Sequence, residues 1–121
     1  MNDGSGAREH LAPVPQGEFD GLVRALGDRA RTVNLSRAAG LSAALDRAAR
    51  GELDEGERLA AADLAHQLVG SAGTFGFAGV SDIAADLREF LLAAVFDSAR
   101  VASARCQLEV VLEQLAEDPR F

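Results

Sequence analysis

The chain contains no lysine, no tyrosine and no tryptophan, a single cysteine and three prolines. Each shortage excludes something. Without lysine there is no P-loop, whose phosphate cradle needs Gly-Lys followed by Ser or Thr; all twelve basic residues are arginine. A net charge of −7 leaves no basic stripe to displace phosphate counterions, which argues against a nucleic-acid partner. The lone Cys106 excludes an internal disulfide and fits a reducing, cytoplasmic setting. Between Arg105 and Gln107 it reads as a small helix residue. The N-terminus is polar and carries no signal peptide. The longest apolar run, near Leu68 to Val80, is too short and glycine-rich to span a bilayer, so no membrane partner is expected. Only His10 and His66 could act as imidazole ligands. That is too few for a metal centre, and the Glu-x-x-His pairs of di-metal bundles do not occur.

What is present is helical. At 121 residues with 48% hydrophobic content, rich in Ala, Leu and Val, the chain predicts one all-α domain. Residues 1–16 are polar, hold Gly4, Gly6, Pro13 and Pro15, and read as a flexible lead-in in which His10 is a solvated side chain. Residues 17–121 form the bundle domain. A short helix over Gly17 to Leu26 presents Phe19, Leu22, Val23 and Leu26. Gly27 interrupts it, and Asp28 caps a longer helix to about Arg50 with apolar positions Ala30, Val33, Ala38, Leu41, Ala44, Leu45 and Ala48. Gly51 supplies a stop and Asp54 an N-cap for a helix running to about Phe75. Gly76 to Gly79 makes a turn, Ser81 caps a helix to about Phe96, and Asp97-Ser98 starts the last helix, to about Glu117. Four long amphipathic helices with short loops predict an antiparallel up-and-down four-helix bundle, monomeric, with an additional short N-terminal helix over one end.

The third of these five predicted helices carries the informative stretch, Ala65-His66-Gln67-Leu68-Val69-Gly70-Ser71-Ala72-Gly73-Thr74-Phe75-Gly76. At about 100° per residue, Ala61, Leu64, Ala65, Ala72 and Phe75 fall within roughly 60° of Leu68, the stripe of a core-facing helix. His66 lies roughly 150° from the centre of that stripe. Its helical neighbours are Ala62, Asp63, Val69, Gly70 and Gly73, three of them Ala or Gly. A helical glycine costs about 1 kcal/mol relative to alanine, so two beside one exposed histidine suggest that something approaches it closely. A dinucleotide fingerprint needs a strand before the glycines, whereas a helix precedes them here. A serine or cysteine nucleophile finds no base except His66, whose open face does not make an enclosed pocket. What remains is an exposed imidazole acting as a nucleophile on a group brought by a partner. Asp63, one turn earlier, either accepts a hydrogen bond from one ring nitrogen and selects a tautomer, or is a solvated acidic side chain. Leu59, Val69 and Phe77 fall on the His66 side by angle. With Ala62 they form a candidate docking patch; the alternative is that Phe77 tucks inward beyond the helix end and Leu59 packs on a neighbouring helix.

These residues resemble the signature of histidine-containing phosphotransfer (HPt) domains, His-x-Leu-Lys-Gly-Ser-Ala followed by a later Gly. His66 matches the phosphorylated histidine, Leu68 the leucine, Gly70-Ser71-Ala72 the Gly-Ser-Ala and Gly76 the later glycine; Ile83 to Leu87 resembles the start of the following helix. The resemblance implies a phosphocarrier with no kinase or phosphatase site and no cofactor of its own. It would accept a phosphoryl group on the Nε2 of His66 from one response-regulator receiver aspartate and pass it to another, or exchange it with a hybrid sensor histidine kinase. Mg²⁺ would sit on the partner receiver. One departure matters: Val69 stands where the motif has lysine, and Gln67 follows the histidine. A cation there would offset phosphoryl charge. Its loss keeps open a second reading, a docking module that regulates a kinase or receiver without carrying phosphate.

Overall fold

Helix boundaries in this chain follow short-range chemistry in some places and packing in others. The computed structural model describes residues 16–74 and 77–117; His10, the lead-in up to residue 15, Phe75 and Gly76 lie outside them. The described residues form four helices and no strand: α1 (Gln16–Ala49), α2 (Glu55–Thr74), α3 (Ala78–Ala93) and α4 (Ser98–Leu115). The turn between α1 and α2 is built by local signals. Gly51 takes a left-handed φ of 70°, and the amides of Gly51 and Glu52 donate to the carbonyls of Ala48 and Arg47 at 3.0 and 2.8 Å, satisfying the end of α1. Asp54 Oδ1 then accepts from the amide of Glu57 at 2.7 Å while Glu57 Oε1 accepts from the amide of Asp54 at 3.0 Å, a reciprocal capping box. Asp97 caps α4 with a single side-chain bond, accepting from the Arg100 amide at 2.9 Å. Replacing Asp54→Ala leaves the Glu57 amide at the start of α2 without its partner. It is expected to lower stability by about 0.5–2 kcal/mol, read as a drop in the thermal midpoint.

Two expected boundaries do not occur. Gly27 does not break α1, and no separate short helix precedes it: Gln16 to Ala49 is one helix of 34 residues with Gly27 buried inside it. Asp28 is no cap. Its carboxylate pairs with Arg31 at 3.3 Å and its carbonyl accepts from the Thr32 hydroxyl at 3.0 Å. One glycine costs about 1 kcal/mol, whereas a break forfeits several backbone hydrogen bonds and a second nucleation. Likewise α3 begins at Ala78, without a side-chain cap, and ends at Ala93, where Ala94 turns left-handed with φ 57°. Gly79 is therefore helical, and Ser81 does not cap: its hydroxyl donates to the carbonyl of Val69 at 2.7 Å.

Each helix packs on two neighbours, α1 on α2 and α4, and α3 on α2 and α4. Leu41, Leu45, Leu68, Leu87, Leu91, Val80, Val111 and Leu115 are fully enclosed, with Ala38, Ala61, Ala65, Ala72, Ala84 and Ala104 letting the helices approach. Each enclosed Leu or Val contributes about 1.5–3 kcal/mol relative to exposure. Gly40 leaves room for a side chain of α2, since a Cβ there would come within 2.7 Å of Leu64 Cδ1. The buried stripe of α1 runs through Ala30, Asn34, Ala38, Leu41, Leu45 and Ala48. It takes in a polar Asn34, while Val33, expected inside, is exposed.

The ends of α2 and α4 explain the behaviour of the first turns of α1. Arg37 reaches Gln67 and Arg47 reaches Glu57, so Thr74 falls opposite about residue 30 of α1 by helical rise. Arg31 reaches the carbonyl of Glu117 at 3.3 Å. Residues 16–29 therefore project past both neighbours. Phe19, Leu22 and Leu26, expected to cover one end of the bundle, are instead 52–57% exposed.

Candidate functional site

His66 sits in the middle of α2, a helix whose other face supplies Ala61, Ala65, Leu68 and Ala72 to the core. Because that stripe is anchored, the imidazole is driven to the opposite side, where it is exposed. It makes no hydrogen bond with any described residue. Asp63 and Gln67, also exposed, stand one helical turn apart on the α1 side, and Gln67 Nε2 donates to Asp63 Oδ2 at 2.8 Å. The carboxylate that could have oriented the imidazole is thus engaged by Gln67, not by His66.

The glycines beside His66 differ in kind. A Cβ built on Gly70 would meet nothing within 4 Å. Packing does not require glycine there, and the space above it is open. A Cβ on Gly73 would lie 3.5 Å from Ser81 Oγ, an ordinary contact with α3. Val69, whose carbonyl accepts from that hydroxyl, is half-buried against the core.

The candidate docking patch divides. Leu59 is 47% exposed and lies two turns before His66 on the same side of α2. Ala62 and Phe77 are buried at 4% and 6% exposure and belong to the core, so neither is offered to a partner. The amide of Phe77 donates to the Ala72 carbonyl at 2.8 Å. The ring is buried, away from the direction that continued helical periodicity assigns it.

The structure adds two residues that the sequence pattern did not single out. Arg37, on α1, donates through Nε to Gln67 Oε1 at 3.1 Å and through Nη1 to Asn34 Oδ1 at 2.8 Å. Asn34 is fully buried, and its amide nitrogen has no partner among the described residues. An unsatisfied buried donor costs about 1–3 kcal/mol, so a polar residue in this stripe is an expensive choice. The only sequence signal was Asn34 itself, standing at a core position of the helical repeat. Which residue of α2 Arg37 meets depends on how α1 and α2 are set against each other. By contrast, the pair of Arg50 and Glu52 at the far end of α1, in which the hydrogen-bonded guanidinium holds the Glu52 carboxyl below its usual range, belongs to the α1–α2 turn.

The arrangement is an exposed, unengaged imidazole on a rigid helix, beside a clear space and a short hydrogen-bonded chain running from α1. Such a group can act as a nucleophile towards a group presented from outside. Among the described residues, no helix is long and apolar enough to cross a membrane. Residues 34–118 match the family model described as Hpt domain. Neither the curated proteins nor the solved structures yield a match.

Proposed function

The chain belongs to the Hpt domain family, and from that premise we propose that His66 accepts a phosphoryl group from the aspartyl phosphate of a response-regulator receiver domain and passes it to a second receiver. Hpt domains serve histidine phosphotransfer in phosphorelays. The observation that carries the assignment to His66 is an exposed imidazole without a hydrogen-bond partner, next to Gly70 with nothing within 4 Å of its Cβ position. The bundle is read as antiparallel and up-and-down. Arg37–Gln67 with Arg47–Glu57, Arg31–Glu117 with Arg105–Asp46, and Arg58–Leu91 with Ser81–Val69 each pair rising numbers on one helix with falling numbers on the other.

In the proposed step the lone pair of His66 Nε2 attacks phosphorus in line. The bond from phosphorus to the aspartyl oxygen breaks, and that oxygen leaves as carboxylate with the electron pair. The ring keeps its proton on Nδ1 until solvent or the next acceptor relieves the added positive charge. Mg²⁺ and a basic residue of the receiver would supply most of the charge stabilisation. This chain contributes a positioned nucleophile and the apolar surface at Leu59 and the exposed part of Val69.

Val69 in the place of the motif lysine favours a second reading, a module that docks on a kinase or receiver and regulates it without carrying phosphate. Incubation with phosphorylated receivers separates the two. Acid-labile, base-stable label transferred to this chain is the expected result. Complex formation without label would support the regulatory reading and overturn phosphotransfer.

A further inference from the structure

We propose that Arg37 is the cation of the phosphorylation face, supplying from α1 the positive charge that α2 lacks beyond Arg58. The inference rests on the phosphotransfer reading of His66. From Leu59 to Thr74 the helix carries no basic residue other than His66, and its one acidic residue is Asp63, one turn from His66. Phosphorylation would add about two negative charges beside that carboxylate, and repulsion alone would shorten the life of the modified state.

Arg37 meets this need by geometry. Its guanidinium is held at two points, by Asn34 Oδ1 at 2.8 Å and by Gln67 Oε1 at 3.1 Å, and Gln67 is the residue directly after His66. Two of the five N–H donors of a guanidinium are used in these bonds, leaving others for phosphoryl oxygens. Salt screens exposed charges over about 10 Å at 0.1 M, so the pull of this guanidinium on a phosphoryl group falls as ionic strength rises. Gln67 also holds Asp63 Oδ2 at 2.8 Å, so the same chain keeps the competing carboxylate engaged. The buried Asn34, costly in itself, has a use here: it fixes where Arg37 sits.

Loss of the phosphoryl group to water forms a bond from water oxygen to phosphorus and breaks the bond from phosphorus to nitrogen, whose electron pair returns to the ring. The loose transition state carries less charge on the phosphoryl oxygens than the dianionic ground state does. A nearby cation therefore slows the loss. Phosphoramidate, a small phosphodonor that needs no receiver, gives the test. After labelling, the decay of phosphohistidine is followed at low and high salt for the natural chain, for R37Q and R37M, for each of these combined with V69K, and for R100Q, which removes an arginine far from the site.

Decay at least threefold faster at low salt in R37Q and R37M is expected, with the difference shrinking at high salt. Recovery is expected when V69K is added, and R100Q should have no effect. Circular dichroism identifies the variants that fold, and R37M keeps the aliphatic stem should R37Q not fold. A purely structural role for Arg37 would not be rescued by a lysine at 69. Unchanged decay in a folded neutral variant, or an equal effect of R100Q, overturns the proposal while leaving phosphotransfer standing. A natural chain that takes no label at His66 overturns the phosphotransfer reading, and this inference with it.

Discussion

Replacing His66→Gln is expected to reduce phosphoryl uptake to background while the four helices remain. The amide nitrogen of glutamine has its lone pair delocalised into the carbonyl and cannot attack phosphorus. The side chain is otherwise similar in reach and polarity. His66 is exposed and makes no hydrogen bond with a described residue, so its loss opens no cavity and strands no partner. Exposed substitutions of this kind change stability by no more than about 0.5 kcal/mol, and glutamine favours a helix slightly more than histidine does. The check is paired: acid-labile label after incubation with phosphorylated receivers, and the thermal midpoint by circular dichroism, which should move by no more than a few degrees. Label persisting on the variant would mean another acceptor, and unfolding would mean that His66 is structural.

Gly70→Leu is expected to separate docking from chemistry. The new side chain stands one turn beyond His66 on the same face, in space that is open in the free protein. The helix should tolerate it and gain about 1 kcal/mol of propensity, raising the thermal midpoint by roughly 4 °C for a domain of this size. A receiver must cover that space to reach the imidazole, so its affinity should fall at least tenfold, equivalent to about 1.4 kcal/mol. Phosphoramidate, being small, should still label His66. Unchanged receiver affinity with normal helicity would show that the glycine is not kept for access.

Both predictions start from positions that could be read along one helix. The stripe of Ala61, Ala65, Leu68 and Ala72 is buried as its spacing predicts, and it forces His66 to the opposite face. The caps at Asp54 and Asp97 and the stop at Gly51 were equally legible. Each involves groups within a few residues of one another, so short-range geometry decides them.

Elsewhere local chemistry pointed the wrong way. Gly27-Asp28 has the composition of a break, yet α1 continues through it with Gly27 buried. Ser81 has the composition of a cap, yet its hydroxyl serves the Val69 carbonyl across the α2–α3 contact. Phe77 lies on the His66 side by angle, yet the ring is buried. Phe19, Leu22 and Leu26 have the pattern of a covering helix, but α2 and α4 end before them.

The residues of this chain thus specify helices, their buried faces and an exposed histidine, because periodicity and capping act over one or two turns. The approach of Arg37 to Gln67, the burial of Asn34 and Phe77, the open space over Gly70 and the projecting start of α1 were decided by tertiary structure. Each depends on the relative height and rotation of helices distant in sequence, and those are set by how side chains of α1, α2, α3 and α4 fill the space between them.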